Sequence, residues 1–119
     1  MKRIGVIGTR RRDTFLDYKA VQEAFYEIYH DGDWLVSGGC PKGGDSFAAK
    51  MALKYGMPIL TFYPDWRKYS KSAGFIRNTF IAEHSDILIA CVSEDRTGGT
   101  EDTIKKFLKD HDEKELILV

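Results

Sequence analysis

The chain has 119 residues, with 18 Lys+Arg against 18 Asp+Glu, so its formal net charge is zero. At 43% hydrophobic, with 7 Phe, 6 Tyr and 2 Trp, it is long and apolar enough for one domain with its own core and is no disordered tail. Neutrality excludes the basic excess of a general nucleic-acid binder, and the longest apolar run, Ile87–Val92, falls far short of the ~20 residues that a membrane-spanning helix needs.

Strand and helix signals alternate in chain order. Lys2–Gly8 reads as a short apolar strand closed by glycine. Asp13 or Thr14 can cap a helix to about His30, whose Val21, Ala24, Phe25 and Ile28 recur at three and four residues and make one buried face. Asp31-Gly32-Asp33 is a turn, Trp34–Ser37 a second strand, and Gly38–Gly44 a glycine-rich loop. A helix over Asp45–Tyr55 ends where Gly56 suits a left-handed cap and Pro58 forbids continuation. Ile59–Tyr63 is the third strand and Pro64–Lys71 a loop. Ser72–His84 is a helix and Asp86–Val92 the fourth strand. Ser93–Gly98 is a polar loop, Thr100 caps a helix to about Lys109, and Glu115–Val119 is the last strand. Five short strands alternating with helices predict an α/β fold: a Rossmann-like, doubly wound, mainly parallel five-stranded sheet with helices on both faces, all in one domain. Such sheets bind ligands at the carboxyl ends of their strands, where the strand order reverses.

The residues with chemical potential lie just after strands. In Gly8-Thr9-Arg10-Arg11-Arg12, Gly8 permits a tight turn, while Thr9 and Arg10 can meet a phosphate beside a helix N-terminus. Ser37-Gly38-Gly39-Cys40-Pro41-Lys42-Gly43-Gly44-Asp45 is the strongest signal. Its glycines let backbone N–H groups turn toward an anion, and Lys42 adds charge. Asp45 either holds a ribose hydroxyl or caps the helix. Trp66 either stacks on a base or covers an edge of the core. Arg77 and Asn78 follow Phe75 and Ile76 in a helix, so Arg77 needs a partner: a phosphate, a carboxylate or solvent. Gly98-Gly99-Thr100 opens a last helix whose Glu101 and Asp102 suit its positive end. Neither the dinucleotide G-x-G-x-x-G spacing nor a Walker loop is present. Cys40 and Cys91 form no CxxC pair. His30, His84 and His111 lack ligand spacing with them, so no metal site or cofactor is read. The start of the chain carries no apolar stretch of the kind found in secretory signals, and a cytoplasmic location is expected.

Taken together, Ser37–Asp45, Asp65-Trp66, Ala73-Gly74-Phe75-Ile76-Arg77-Asn78, Asp86–Ala90 and Gly99-Thr100 resemble the SLOG superfamily of Rossmann-like nucleotide-binding domains, in particular its YspA-like branch. The resemblance runs from about Ile4 to Phe107. It implies a pocket for a nucleotide or nucleotide-derived ligand. In the LOG phosphoribohydrolases of the same superfamily, an Arg on a helix is paired with a later P-G-G-x-G-T-x-E-E loop. Arg77 looks like the first element, and Gly98-Gly99-Thr100-Glu101-Asp102 like a shortened version of the second, with Asp102 at the first acid and Thr103 at the other.

The favoured function is therefore a module that binds a nucleotide-derived small molecule as sensor, carrier or sequestering protein. The alternative is a nucleotide N-glycosidase or sugar transferase in which Arg77 holds phosphate and Asp102 stabilises the developing cation. Binding of single-stranded DNA, as in the DNA-processing proteins of the superfamily, is disfavoured by the charge balance. Phe15, Tyr18, Tyr26 and Tyr29 can either supply a patch for a homodimer or higher homo-oligomer, or enter the core.

Overall fold

Short, near-continuous apolar runs, buried on both faces, build the sheet. In the computed structural model, which describes residues 1–119, the strands are β1 (Arg3–Gly8), β2 (Trp34–Ser37), β3 (Ile59–Thr61), β4 (Ile87–Cys91) and β5 (Leu116–Leu118). They form one sheet in the order β3-β2-β1-β4-β5, with every neighbouring pair parallel. Successive residues of a strand face opposite sides. Ile4, Val6, Leu35 and Ile89 accordingly enter one core cluster, while Ile7, Val36, Leu88 and Ala90 enter another.

Each cluster is covered by two helices. The first takes Val21 and Phe25 from α1 (Phe15–Ile28) and Phe47, Ala48 and Met51 from α2 (Gly44–Tyr55). The second takes Ile81 and Ala82 from α4 (Ala73–His84) and Ile104 and Phe107 from α5 (Gly99–Leu108). The α/β doubly wound fold expected from the sequence is therefore present, with β1 at the point where strand order reverses. No helix is long and apolar enough to cross a membrane.

Local rules account for the element ends. Thr14, not Asp13, caps α1: its hydroxyl accepts from the Asp17 N–H at 3.1 Å, and the Asp17 carboxylate accepts from the Thr14 N–H at 3.1 Å. Asp13 instead accepts from the Gly43 N–H at 2.8 Å. Gly56 takes the left-handed conformation at the end of α2 (φ 63°, ψ 35°).

Two expectations are corrected. The loop assigned to Pro64–Lys71 contains a short helix, α3 (Trp66–Tyr69), because the Asp65 carboxylate accepts from the Lys68 N–H and caps it. A 3-10 turn over Ser70–Ser72 then leads into α4. Thr100 does not cap α5: the cap is Gly98, which has no side chain to offer, so the first-turn N–H groups of that helix carry no side-chain cap. Of Phe15, Tyr18, Tyr26 and Tyr29, Tyr18 and Tyr29 pack against the core while Phe15 and Tyr26 are exposed, so the residues divide between the two readings left open by the sequence.

Candidate functional site

An open cleft of about 910 Å³ lies along the carboxyl ends of β1, β2, β3 and β4. Its walls come from the loops that follow these strands and from the starts of α2, α4 and α5. That position follows from topology. Chains leaving β1 and β4 diverge to opposite faces of the sheet and open a crevice between them.

Glycines line the cleft at Gly8, Gly38 and Gly39, and behind them backbone meets backbone. A Cβ on Gly44 would fall among the main-chain atoms of Ile7 and Gly8, so only glycine lets α2 start directly against the end of β1. Gly39 takes a positive φ of 76°, with the Tyr63 ring covering the space that its side chain would need. The Asp45 carboxylate ties the glycine loop back on itself. It accepts from the Gly38 N–H at 3.2 Å and from the Cys40 N–H at 3.0 Å. Burial pushes this carboxyl above its ordinary range, while the two N–H donors and the Arg77 guanidinium pull the other way. Asp45 thus lines the cleft and restrains its own loop, and it does not cap α2, whose N-cap is Gly43.

Arg77 is the half-buried cation of the cleft. Its Nη1 donates to the Gly38 carbonyl at 2.6 Å and its Nε to Asn78 Oδ1 at 3.0 Å. Neither partner is a carboxylate: Asp45 lies close enough for the guanidinium to favour its ionised form, but the two share no hydrogen bond. Asn78, 6% exposed, touches the cleft and also donates to the Gly99 carbonyl at 3.3 Å and to Asp102 at 3.1 Å.

The structure brings Gly8, Thr9, Arg10, Gly38, Gly39, Asp45, Trp66, Arg77, Asn78, Gly98, Gly99 and Thr100 together around the cleft. Ser37, Lys42, Gly43 and Asp102 are not among its walls. Ser37 is buried, and its hydroxyl bonds within the loop to the Gly39 N–H and the Asp45 carbonyl. Lys42 is exposed beyond the rim, and the Gly43 N–H is turned to Asp13. The Asp102 carboxylate is bonded to Lys106 at 2.8 Å and to Asn78, between α4 and α5. Arg12 is a structural tie, paired with Asp17 and donating to the Val92 and Val119 carbonyls. Arg96 is paired with Glu101 and lies outside the cleft.

Sequence reasoning missed Arg11 and Tyr63 as cleft residues. Arg11 makes a two-point bond with Asp95, both arms at 3.0 Å, and so ties the first loop to the fourth. No sequence signal marks that pairing across 84 positions. Tyr63 had one: like Trp66, it is an aromatic residue just beyond a strand. It is 73% exposed and Trp66 59% exposed. An anion can thus meet Arg77, Arg10 and the uncapped N–H groups of α5 while a flat ring lies against Tyr63 or Trp66. No protein-family model, curated protein or solved structure matches the chain.

Proposed function

We propose that this chain is a nucleotide-binding domain of the SLOG type that holds the phosphate of a nucleotide or nucleotide-derived molecule, acting as sensor, carrier or sequestering module. The observation that carries the reading is Arg77: a half-buried guanidinium lining the cleft at the carboxyl ends of the strands, hydrogen-bonded to a carbonyl and an amide but to no carboxylate. A charge held this way is suited to an incoming anion, and the uncapped start of α5 adds N–H donors beside it. The exposed rings of Tyr63 and Trp66 give a base somewhere to stack.

The hydrolytic alternative assigns its cation-stabilising carboxylate to Asp102. With that group bonded to Lys106 and Asn78 and absent from the cleft walls, binding without turnover is the better supported reading.

Titration calorimetry with AMP tests it. Binding by the wild type should weaken on Arg77→Met by about 2 kcal/mol, roughly thirtyfold in Kd, the scale of a lost hydrogen bond to a charged group. Equal affinity in the two proteins removes Arg77 from the site. Release of free adenine from AMP by the wild type would move the reading to the hydrolase.

A further inference from the structure

Asp102 has a carboxylate in the first turn of α5 and yet does not reach the cleft. Its partners explain where its influence goes. Lys106, one turn along α5, donates to Asp102 Oδ2 at 2.8 Å and to the Phe75 carbonyl of α4 at 2.6 Å, so one ammonium bridges both helices. The same Oδ2 accepts from Asn78 Nδ2 at 3.1 Å, and that nitrogen also donates to the Gly99 carbonyl at 3.3 Å. Asn78 Oδ1 accepts from Arg77 Nε at 3.0 Å, and Arg77 Nη1 reaches the Gly38 carbonyl at 2.6 Å. Five side chain or main chain groups are thus joined in a line from the back of α5 to the glycine loop.

The line has only one working direction. Asn78 is almost fully buried and carries a donor end and an acceptor end. Two acceptors, Asp102 and Gly99, face one side of it, and the Arg77 Nε–H donor faces the other. Rotating the amide by half a turn would set N–H against N–H and oxygen against two oxygens. Removing the acceptor at position 102 weakens the force that holds the amide in this sense, and with it the aim of Arg77.

We infer that Asp102 is a positioning residue, which acts with Lys106 through the Asn78 amide to hold the Arg77 guanidinium in the cleft. An Asn at this position can still accept from Asn78, whereas Ala cannot, so the role depends on a hydrogen-bond acceptor and not on a negative charge at a reacting atom. The consequence for ligand affinity rests on the nucleotide reading above. The orientation of Arg77 does not.

Proton–nitrogen NMR of the arginine Nε–H groups in the free protein reads the line directly, the Arg77 signal being the one lost in Arg77→Lys. In the wild type this proton should exchange slowly with water. It should exchange fast in Asp102→Ala, and slowly again in Asp102→Asn. If Asp102→Ala does not fold, Lys106→Met serves, with faster exchange expected. Exchange that is equally fast in the wild type and these variants, or equally slow in all of them, overturns the inference. Calorimetry with AMP adds the second arm. Asp102→Ala should weaken binding by roughly tenfold, as small displacements of a contact group do. Asp102→Asn should restore it, and Asp102→Ala in an Arg77→Met background should have no further effect. Binding as weak in Asp102→Asn as in Asp102→Ala would mean that the charge acts on the ligand itself, and overturns the positioning role. Should the wild type bind no AMP, the nucleotide reading falls and the exchange data alone decide the line.

Discussion

Gly44 brings the start of α2 against the main chain of Ile7 and Gly8 with no room for a methyl group. Gly44→Ala should therefore destabilise the fold by about 2 kcal/mol or more through overpacking, visible as a lower urea midpoint. Asp33 carries a different kind of weight. It is 2% exposed, and its carboxylate accepts from the Lys2 backbone, the Lys2 ammonium and the His30 backbone, at 2.9, 2.6 and 3.0 Å. Burial alone would raise its pKa, but these donors outweigh burial and hold it below the ordinary carboxylate range. A carboxyl lowered on folding adds stability above its unfolded pKa, and that stability is lost as pH falls through the folded value. Asp33→Asn should cost about 2 kcal/mol at neutral pH. Its deficit relative to wild type should shrink below about pH 4, where the unfolded carboxyl protonates, in urea midpoints measured across that range. At this scale the sequence disclosed residue type but not direction. Arg77 and the glycines were legible because their types are unusual at those places. Ser37, Lys42 and Asp102 were misplaced because their bonds to Asp45, solvent and Lys106 are decided by the packed fold.

Helix ends follow short-range chemistry, and most were legible for that reason. The Thr14–Asp17 capping box is such a case, and Thr14→Ala should lower stability by about 1 kcal/mol, measured by thermal or urea unfolding. The short helix α3 escaped because four residues are too few to show periodicity, and only the Asp65 cap betrays it. The start of α5 was placed too late because a hydroxyl at Thr100 is the better capping residue by type, while the chain turns at Gly98, which has φ 102°. What anchors α5 is its apolar side. Phe107 is fully buried in the second core cluster and stacks on His111 with ring centres 4.0 Å apart. Phe107→Ala should cost about 3–4 kcal/mol and loosen the helix that carries Asp102 and Lys106. A weaker Arg77 Nε–H signal should accompany that loss.

For the whole molecule, zero net charge conceals local imbalance. Arg11, Arg12 and Arg96 are ion-paired with Asp95, Asp17 and Glu101, while Arg77 and Arg10 line the cleft with no direct ion pair, Asp45 being the acid that feels the Arg77 charge. A ligand that binds only the folded chain should raise its stability by about 2.7 kcal/mol at a hundredfold excess over Kd, so a thermal-shift titration with AMP should move the midpoint upward in wild type and much less in Arg77→Met. The strand order has a further consequence, in time. β1 pairs on one side with β2, which begins at Trp34, and on the other with β4, which begins at Ile87. As the chain emerges from a ribosome, β1, β2 and β3 can assemble with α1 and α2 well before the opposite wall of the cleft exists. Arg77, Asn78 and the Gly98-Gly99 turn come with the half of the chain that joins β1 through the β1–β4 pairing of Ile4 with Ile87, a contact of long sequence separation of the kind that forms slowly. Because the cleft needs the β1–β4 pairing as well as local helix formation, ligand capture during refolding should lag behind the recovery of helical signal, and simultaneous recovery of the two would count against this order.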